Sequence, residues 1–146
     1  MNQFQLRAVM PGDKHQWAAL WRDYLAFYRT EKPSDVYDAA FAQLMSGGSD
    51  TFSGLLAWLE GTAVGLVHWV VHPHLWRPEG IVYLQDLYVA PAARGTGVGR
   101  ALIEAVYADA DARGVPDVYW LTQDDNPARA LYDRVATRTN FVKYQR

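Results

Sequence analysis

The chain is expected to fold as an α/β domain, a mixed, mostly antiparallel sheet flanked by helices in the order β-α-α-β-β-β-α-β-α-β. Three observations carry that expectation. Trp17, Leu20, Trp21, Tyr24, Leu25 and Tyr28 recur at helical spacing and make one apolar face. Two strand-like runs, 53–59 and 63–71, flank Glu60-Gly61-Thr62, a short glycine-bearing turn, and so form an antiparallel hairpin. Residues 81–89, rich in Val, Ile, Tyr and Leu, make a central strand that runs through Ala90-Pro91-Ala92-Ala93 into a glycine-rich segment and then a helix.

The remaining elements follow in chain order. Residues 4–9 are a first strand, closed by the turn Met10-Pro11-Gly12-Asp13, with Asp13 as N-cap of the first helix. Ser34, after Pro33, caps a second helix with Val36, Ala39, Ala40 and Leu44 inward, and Ser46-Gly47-Gly48-Ser49 stops it. Residues 72–80 hold two prolines and read as a loop before the central strand. Val98, Leu102, Ile103, Val106 and Ala110 mark a helix ended by Gly114 and Pro116. A buried strand at 118–122 follows. Asn126-Pro127 then opens a last helix over 128–136, with proline at its first position. A closing strand at 141–144 completes the order.

Composition excludes several classes. A chain of 146 residues suits one domain, 1–146, and 50% hydrophobic content supplies a core without staples. No cysteine is present, so a thiolate metal site, a disulfide and an acyl-cysteine intermediate are all excluded. A net charge of −2 without runs of like charge lacks the basic footprint of a nucleic-acid binder. Met1-Asn2-Gln3-Phe4 shows no signal-peptide pattern, and no apolar run approaches the roughly 20 residues that span a bilayer. The expectation is a cytoplasmic protein with no membrane partner and no metal. Six Trp and nine Tyr exceed what so short a chain needs for packing, and suit an aromatic-lined pocket as well as a core.

The segment Arg94-Gly95-Thr96-Gly97-Val98-Gly99 joins strand to helix. A helix N-terminus offers unpaired N–H groups and partial positive charge, and glycines let backbone approach an anion. Arg94 and Arg100 flank the loop and suit phosphate oxygens, so the segment is a pyrophosphate cradle. A nucleotide-hydrolysing P-loop needs Gly-Lys-Ser/Thr, whereas Arg100-Ala101 follow Gly99. A dinucleotide site needs G-x-G-x-x-G, and the third glycine here comes one residue early. The chain after Asp124 is also too short for the rest of a doubly wound sheet.

Leu84-Gln85-Asp86-Leu87-Tyr88-Val89, Pro91 and the run from Arg94 through Arg100-Ala101-Leu102 together resemble the acetyl-CoA motif of the GNAT superfamily, Q/R-x-x-G-x-G/A at a strand-to-helix junction. Asn126-Pro127-Ala128-Arg129-Ala130-Leu131-Tyr132 resembles the family's N-x-x-A-x-x-L-Y helix. Tyr119-Trp120-Leu121-Thr122 and Phe141-Val142-Lys143-Tyr144 are most similar to the polyamine/histone and diamine acetyltransferase-like branches. The resemblance implies the GNAT acyl-CoA N-acyltransferase fold, acetyl-CoA as donor with CoA as product, and homodimers joined through C-terminal strands.

It also implies roles. Leu87, Tyr88 and Val89 would pair with the pantetheine arm, and the N–H of Val89 or Tyr88 would polarise the thioester carbonyl. Arg94, Gly95, Thr96, Gly97, Val98, Gly99 and Arg100 would hold the phosphates. Asn126 would touch the pantetheine, beside its role as a cap. Tyr132 would protonate the departing thiolate, which a phenol of pKa about 10 can do at neutral pH.

The base is open. An alkylamine titrates near about 10.4, so its proton must be accepted before attack. The diamine branch has an acidic residue where this chain has Gln85, which cannot be a base. Asp86 is its neighbour, but adjacent strand residues face opposite sides unless a β-bulge intervenes. His68, His72 and His74 are further options, and the last two have a spacing that also suits a metal. Tyr24, Tyr28, Glu31, Asp35, Trp76 and Trp120 are candidates for holding a cationic acceptor by charge and cation–π attraction. The expected reaction is direct attack of a small primary amine, a polyamine or an amino-acid-like substrate, in a ternary complex. The rival readings are a non-catalytic acyl-CoA-binding regulator, a protein N-acetyltransferase and another nucleotide-binding enzyme.

Overall fold

The structure, a computed structural model, describes residues 3–48 and 50–146. Met1 and Asn2 of the N-terminal stretch, and Ser49 of the expected helix stop, lie outside the described residues. The strands are β1 (Gln5–Ala8), β2 (Ser53–Leu59), β3 (Thr62–His74), β4 (Arg77–Val89) and β5 (Val118–Tyr119). They form one sheet in the order β1-β2-β3-β4-β5. The first four pair antiparallel, and β5 joins β4 in parallel. The helices are α1 (Lys14–Phe27), α2 (Ser34–Met45), α3 (Val98–Ala112) and α4 (Arg129–Val135).

Each sheet face has its own core. Val98, Leu102, Ile103, Val106 and Ala110 of α3 pack on Val67, Trp69, Val82 and Leu84, with Leu131, Tyr132 and Val135 of α4 at the margin. Trp17, Leu20, Trp21 and Leu25 of α1 and Phe41 of α2 pack on Leu56, Leu66 and Tyr88. Helical spacing of apolar residues therefore sets which stripe of α1 and of α3 is buried. The α3 face is closely packed. A Cβ on Gly65 would lie 2.9 Å from Val98 Cγ1 and 3.2 Å from Leu102 Cδ1, so glycine is what lets α3 approach β3.

β4 changes face midway. His68 pairs with Asp86 and Trp69 with Leu84, so Gln85 is the extra residue of a β-bulge. Val82 and Leu84 face α3 before the bulge, and Leu87 and Val89 face it afterwards. Asp86 and Tyr88 are thereby turned toward α1.

β4 and β5 also diverge. β5 pairs only at Val82–Val118 and Tyr83–Tyr119, so beyond Tyr83 the β5-side edge of β4 is open among the described residues. Ala90 donates to the Val64 carbonyl on the β3 side. Antiparallel alternation then points the N–H groups of Leu87 and Val89, and not that of Tyr88, to the open edge.

Five sequence-based expectations are corrected. Residues 72–80 are not a loop: β3 runs to His74 and β4 starts at Arg77, leaving Leu75 and Trp76 as a hairpin tip, and Pro78 sits near the strand's start where no inner ladder needs its N–H. The strand at 118–122 is two residues long and only partly covered, because the chain leaves β4 there. The strand at 141–144 does not form: Phe141, Val142 and Tyr144 are 80%, 73% and 91% exposed, with no neighbouring strand to pair with. Neither Asp13 nor Ser34 caps a helix with its side chain. Asp13 instead accepts from the Met10 N–H at 2.8 Å and pairs with Arg7 at 3.0 Å. In α2, Ala39 is exposed, and Phe41 with half-buried Tyr37 fills the interior because these rings reach the tryptophans of α1.

Candidate active site

The glycine segment sits where β4 has ended and α3 begins. A short 3-10 turn at Pro91–Ala93 reverses the chain. Gly95 and Gly97 then adopt φ +77° and +92°, the left-handed region where a side chain is strained. Among the described residues, the N–H groups of 95–100 make no hydrogen bond to protein. They form an uncapped row at the α3 N-terminus, the donor set an anionic pyrophosphate requires. Gly99 serves packing: a Cβ there would meet Leu131 Cδ2 at 3.3 Å and Val89 Cγ2 at 3.6 Å. Val98 is buried, so only its backbone faces the loop.

The side chains around this cradle are partly engaged. Arg94 donates from Nε to the Val89 carbonyl at 3.0 Å and lies over the Tyr88 ring. Arg100 pairs with Glu104 at 2.8 Å along α3. The Thr96 hydroxyl donates to the Ala93 carbonyl. The cradle is therefore built from backbone, with Arg94 tying it to the end of β4. The open β4 edge leads straight into it, so a strand-like thioester arm with a pyrophosphate tail fits this surface.

Tyr132 lies on α4, packed at the margin of the α3-side core. Its ring meets Trp120 edge-on at 5.5 Å, and its hydroxyl has no hydrogen-bond partner among the described residues. Burial, and then the nearby Tyr28, push its pKa up to about 12, so it is a proton donor across the neutral and mildly alkaline range. Asn126 is almost fully buried. Its Oδ1 accepts the Ala128 N–H at 3.0 Å, and its Nδ2 donates to Thr122 Oγ1 at 2.9 Å and Tyr28 Oη at 3.4 Å. This closes a turn ahead of α4 and is not the expected cap: α4 starts at Arg129 with Ala128 as its N-cap, so neither Asn126 nor Pro127 holds the expected position at the helix start.

The α1 side holds an arrangement the sequence did not single out. Trp17 Nε1 donates to His68 Nε2 at 2.9 Å, which leaves Nδ1 as the protonated nitrogen facing Asp86 Oδ2 at 2.8 Å. Trp21 Nε1 donates to the same oxygen at 3.3 Å. His68 and Asp86 are 4% and 5% exposed, so no solvent serves them. Burial acts to raise the Asp86 pKa, but the bond from His68 and those from Tyr24 and Trp21 outweigh it and hold the carboxyl below its usual value. Tyr24 shares its hydroxyl between the Gln85 carbonyl, at 3.4 Å, and Asp86. Burial and the Asp86 charge push its pKa well above the usual phenol value. The one available signal was the pair Trp17 and Trp21 on the same helical face as Tyr24, opposite a strand histidine.

The other sequence candidates divide cleanly. Tyr24 and Tyr28 stack edge-on at 5.2 Å and bridge from Gln85 to Asn126. Trp120 reaches the site from the α3 side. Trp76 does not: it is 80% exposed at the β3–β4 hairpin tip, against His74. His72 bonds Tyr119 Oη at 2.9 Å in the same hairpin, and no metal-binding cluster exists among the described residues. The bulge leaves both Gln85 and Asp86 off the α3 face, but at different depths: Asp86 is buried and Gln85 is exposed. Glu31 and Asp35 lie exposed on the α1–α2 link and the start of α2.

A cleft of about 520 Å³ opens beside Tyr28, lined by Phe27, Arg29, Asn126 and the 123–125 segment. A second depression, at Gln5, Trp58 and Gly61, lies on the opposite sheet edge away from this chemistry. No helix among the described residues is long and apolar enough to cross a membrane.

Comparison with known proteins agrees with this geometry. The profile of the acetyltransferase (GNAT) family matches residues 17–136. A D-amino-acid N-acetyltransferase of Saccharomyces cerevisiae is 40% identical over 147 residues, spanning 99% of this chain and 91% of that protein. Two solved structures share the fold. The ribosomal-protein-alanine N-acetyltransferase of Brucella melitensis biovar Abortus 2308 superposes with TM-score 0.82 at 22% identity, over 98% of this chain and 97% of that one. An aminoglycoside N-acetyltransferase in complex with CoA superposes with TM-score 0.85 at 19% identity, over 100% and 95%.

Proposed function

The chain belongs to the acetyltransferase (GNAT) family and is an acetyl-CoA-dependent N-acetyltransferase, and on that premise we propose that it acetylates the amino group of a small amino acid, the D-series first, by direct attack in a ternary complex. The observation that carries this reading is the open β4 edge followed by the unpaired N–H row of 95–100. Acetyl-CoA supplies an acetyl thioester. Leu87 and Val89 present N–H groups to the pantetheine arm, and Val89, nearest the cradle, is suited to polarise the thioester carbonyl. Backbone of 95–100 with Arg94 holds the pyrophosphate. The ammonium gives up one proton to solvent before attack; Tyr132 donates its proton to the CoA thiolate as it leaves, and the proton shed by the acylated nitrogen returns through solvent to the phenolate.

The acceptor side is assigned to α1 and β4. A carboxyl held below its usual range is a weak proton acceptor, so Asp86 acts here as a fixed negative charge and not as the general base. Tyr24, drawn toward Asp86 and the Gln85 carbonyl, carries that charge's influence to the surface where the cationic amine arrives. The 40% identity to a D-amino-acid N-acetyltransferase supports an amino-acid acceptor over an aminoglycoside or a protein N-terminus, whose enzymes share only the fold. Homodimerisation is proposed with it, supported by the exposed apolar side chains of Phe141, Val142 and Tyr144.

The test is release of free thiol from acetyl-CoA across a panel of D- and L-amino acids, polyamines and aminoglycosides. Turnover is expected with D-amino acids. Tyr132→Phe is expected to lower kcat about 100-fold with little change in either KM. Wild-type kcat should show no loss from phenol ionisation up to about pH 10, because Tyr132 is pushed up to about 12. Thiol release at background rate with every amine would falsify the reading.

A further inference from the structure

The C-terminal end of α1 carries a residue that its backbone does not favour. Arg29 donates its N–H to the Ala26 carbonyl at 2.9 Å, and Thr30 donates to Leu25 at 2.9 Å. That bond pair is the Schellman arrangement, and it puts Arg29 at the position after the cap. Its φ is +57°, in the left-handed region. Glycine adopts that conformation freely, whereas a side chain there is strained. Stability of the turn therefore argues for glycine, and an arginine stands there instead.

Arg29 lines the cleft beside Tyr28, together with Asp124, Asp125 and Asn126. It makes no ion pair or side-chain hydrogen bond among the described residues, and neither do the two aspartate carboxylates. The cleft thus holds an unpaired cation that is available to an anionic group of a ligand. Asn126 is shared by this cleft and the reaction centre: it lines the cleft and donates to Tyr28 Oη, and Tyr28 lies beside Tyr132. An amino acid carries its amine and its carboxylate on one carbon, so a group gripping the carboxylate must lie this close to the thioester.

We propose that Arg29 is the specificity residue of the acceptor site, binding the α-carboxylate of the amino acid whose amine is acetylated. The inference rests on the amino-acid reading above. A guanidinium matches a carboxylate with two parallel N–H donors, which lysine's single point charge does not. Amines without an adjacent carboxylate forgo this contact and are poorer substrates.

The experiment compares a D-amino acid with its α-amide in the wild type, in Arg29→Gly and in Arg29→Lys, by thiol release with acetyl-CoA varied separately. The wild type is expected to prefer the acid over the amide about tenfold in kcat/KM, chiefly through acceptor KM. Arg29→Gly should erase that preference, and Arg29→Lys should restore part of it. The melting temperature of Arg29→Gly should equal or exceed that of the wild type, since glycine relieves the turn, which separates lost recognition from lost folding. A preference for the acid that survives in Arg29→Gly overturns the inference. So does a rise in the KM for acetyl-CoA with both acceptors alike, which would assign the guanidinium to CoA. Failure of the amino-acid reading itself looks different: the wild type then acetylates neither acid nor amide.

Discussion

The two faces of the sheet are built on opposite principles. The α3 face is aliphatic and tight, and its functional surface is backbone: glycines at 65, 95, 97 and 99 set how close α3 comes and which N–H groups stay free. The α1 face is aromatic and polar. Trp17, Trp21, Tyr24, His68 and Asp86 form a buried hydrogen-bonded line whose effect reaches the surface through a side chain. A donor common to a whole family can be held by backbone, which changes little as side chains vary. An acceptor that differs between members must be read by side chains, which the proposed function assigns to the other face.

That contrast can be broken on either side. The largest effect is expected from Gly65→Ala, whose Cβ would press on Val98, Leu102 and the Tyr88 carbonyl at 2.9, 3.2 and 3.3 Å. A loss of about 2 kcal/mol in denaturant unfolding is expected. An unchanged midpoint would mean that α3 is not closely seated on β3.

A smaller and pH-dependent effect belongs to Asp86. Its folded pKa is lower than its unfolded one, so its contribution to stability is full above the unfolded value of about 4 and is lost as pH falls through the folded value. Melting temperature should therefore fall in the wild type from about pH 5 downward, and fall less steeply in Asp86→Asn. Parallel profiles for the two proteins would show that Asp86 is not held ionised by His68 and its neighbours.

Legibility in the sequence followed the same division. Helical spacing located α1 and α3, and the glycine turn located the β2–β3 hairpin, because these are local signals. The strand-turn-helix junction was readable because glycines at fixed offsets supply its left-handed backbone. Three elements were misread where tertiary pairing decides. Residues 72–80 extend the β3–β4 hairpin because two long strands support each other across two prolines. Residues 120–122 leave the sheet as β5 diverges, and 141–144 find no partner strand. The His68–Asp86 pair was invisible as a pair, since its members lie 18 residues apart and meet only through the register of β3 with β4. The bulge at Gln85 was anticipated as a device that could put Gln85 and Asp86 on one surface. It does turn both off the α3 face, and they differ only in depth, with Asp86 buried and Gln85 exposed.

The division between a backbone-held donor and a side-chain-held acceptor is tested most directly by two-substrate steady-state kinetics on Gly97→Ala and Tyr24→Phe. Gly97 has φ +92° with open space around a would-be Cβ, so alanine strains the cradle without touching the acceptor cleft. The expected result is a KM for acetyl-CoA raised about tenfold in Gly97→Ala with the acceptor KM unchanged, and the reverse in Tyr24→Phe. Both constants rising together in either variant would contradict the separation of donor and acceptor between the two faces.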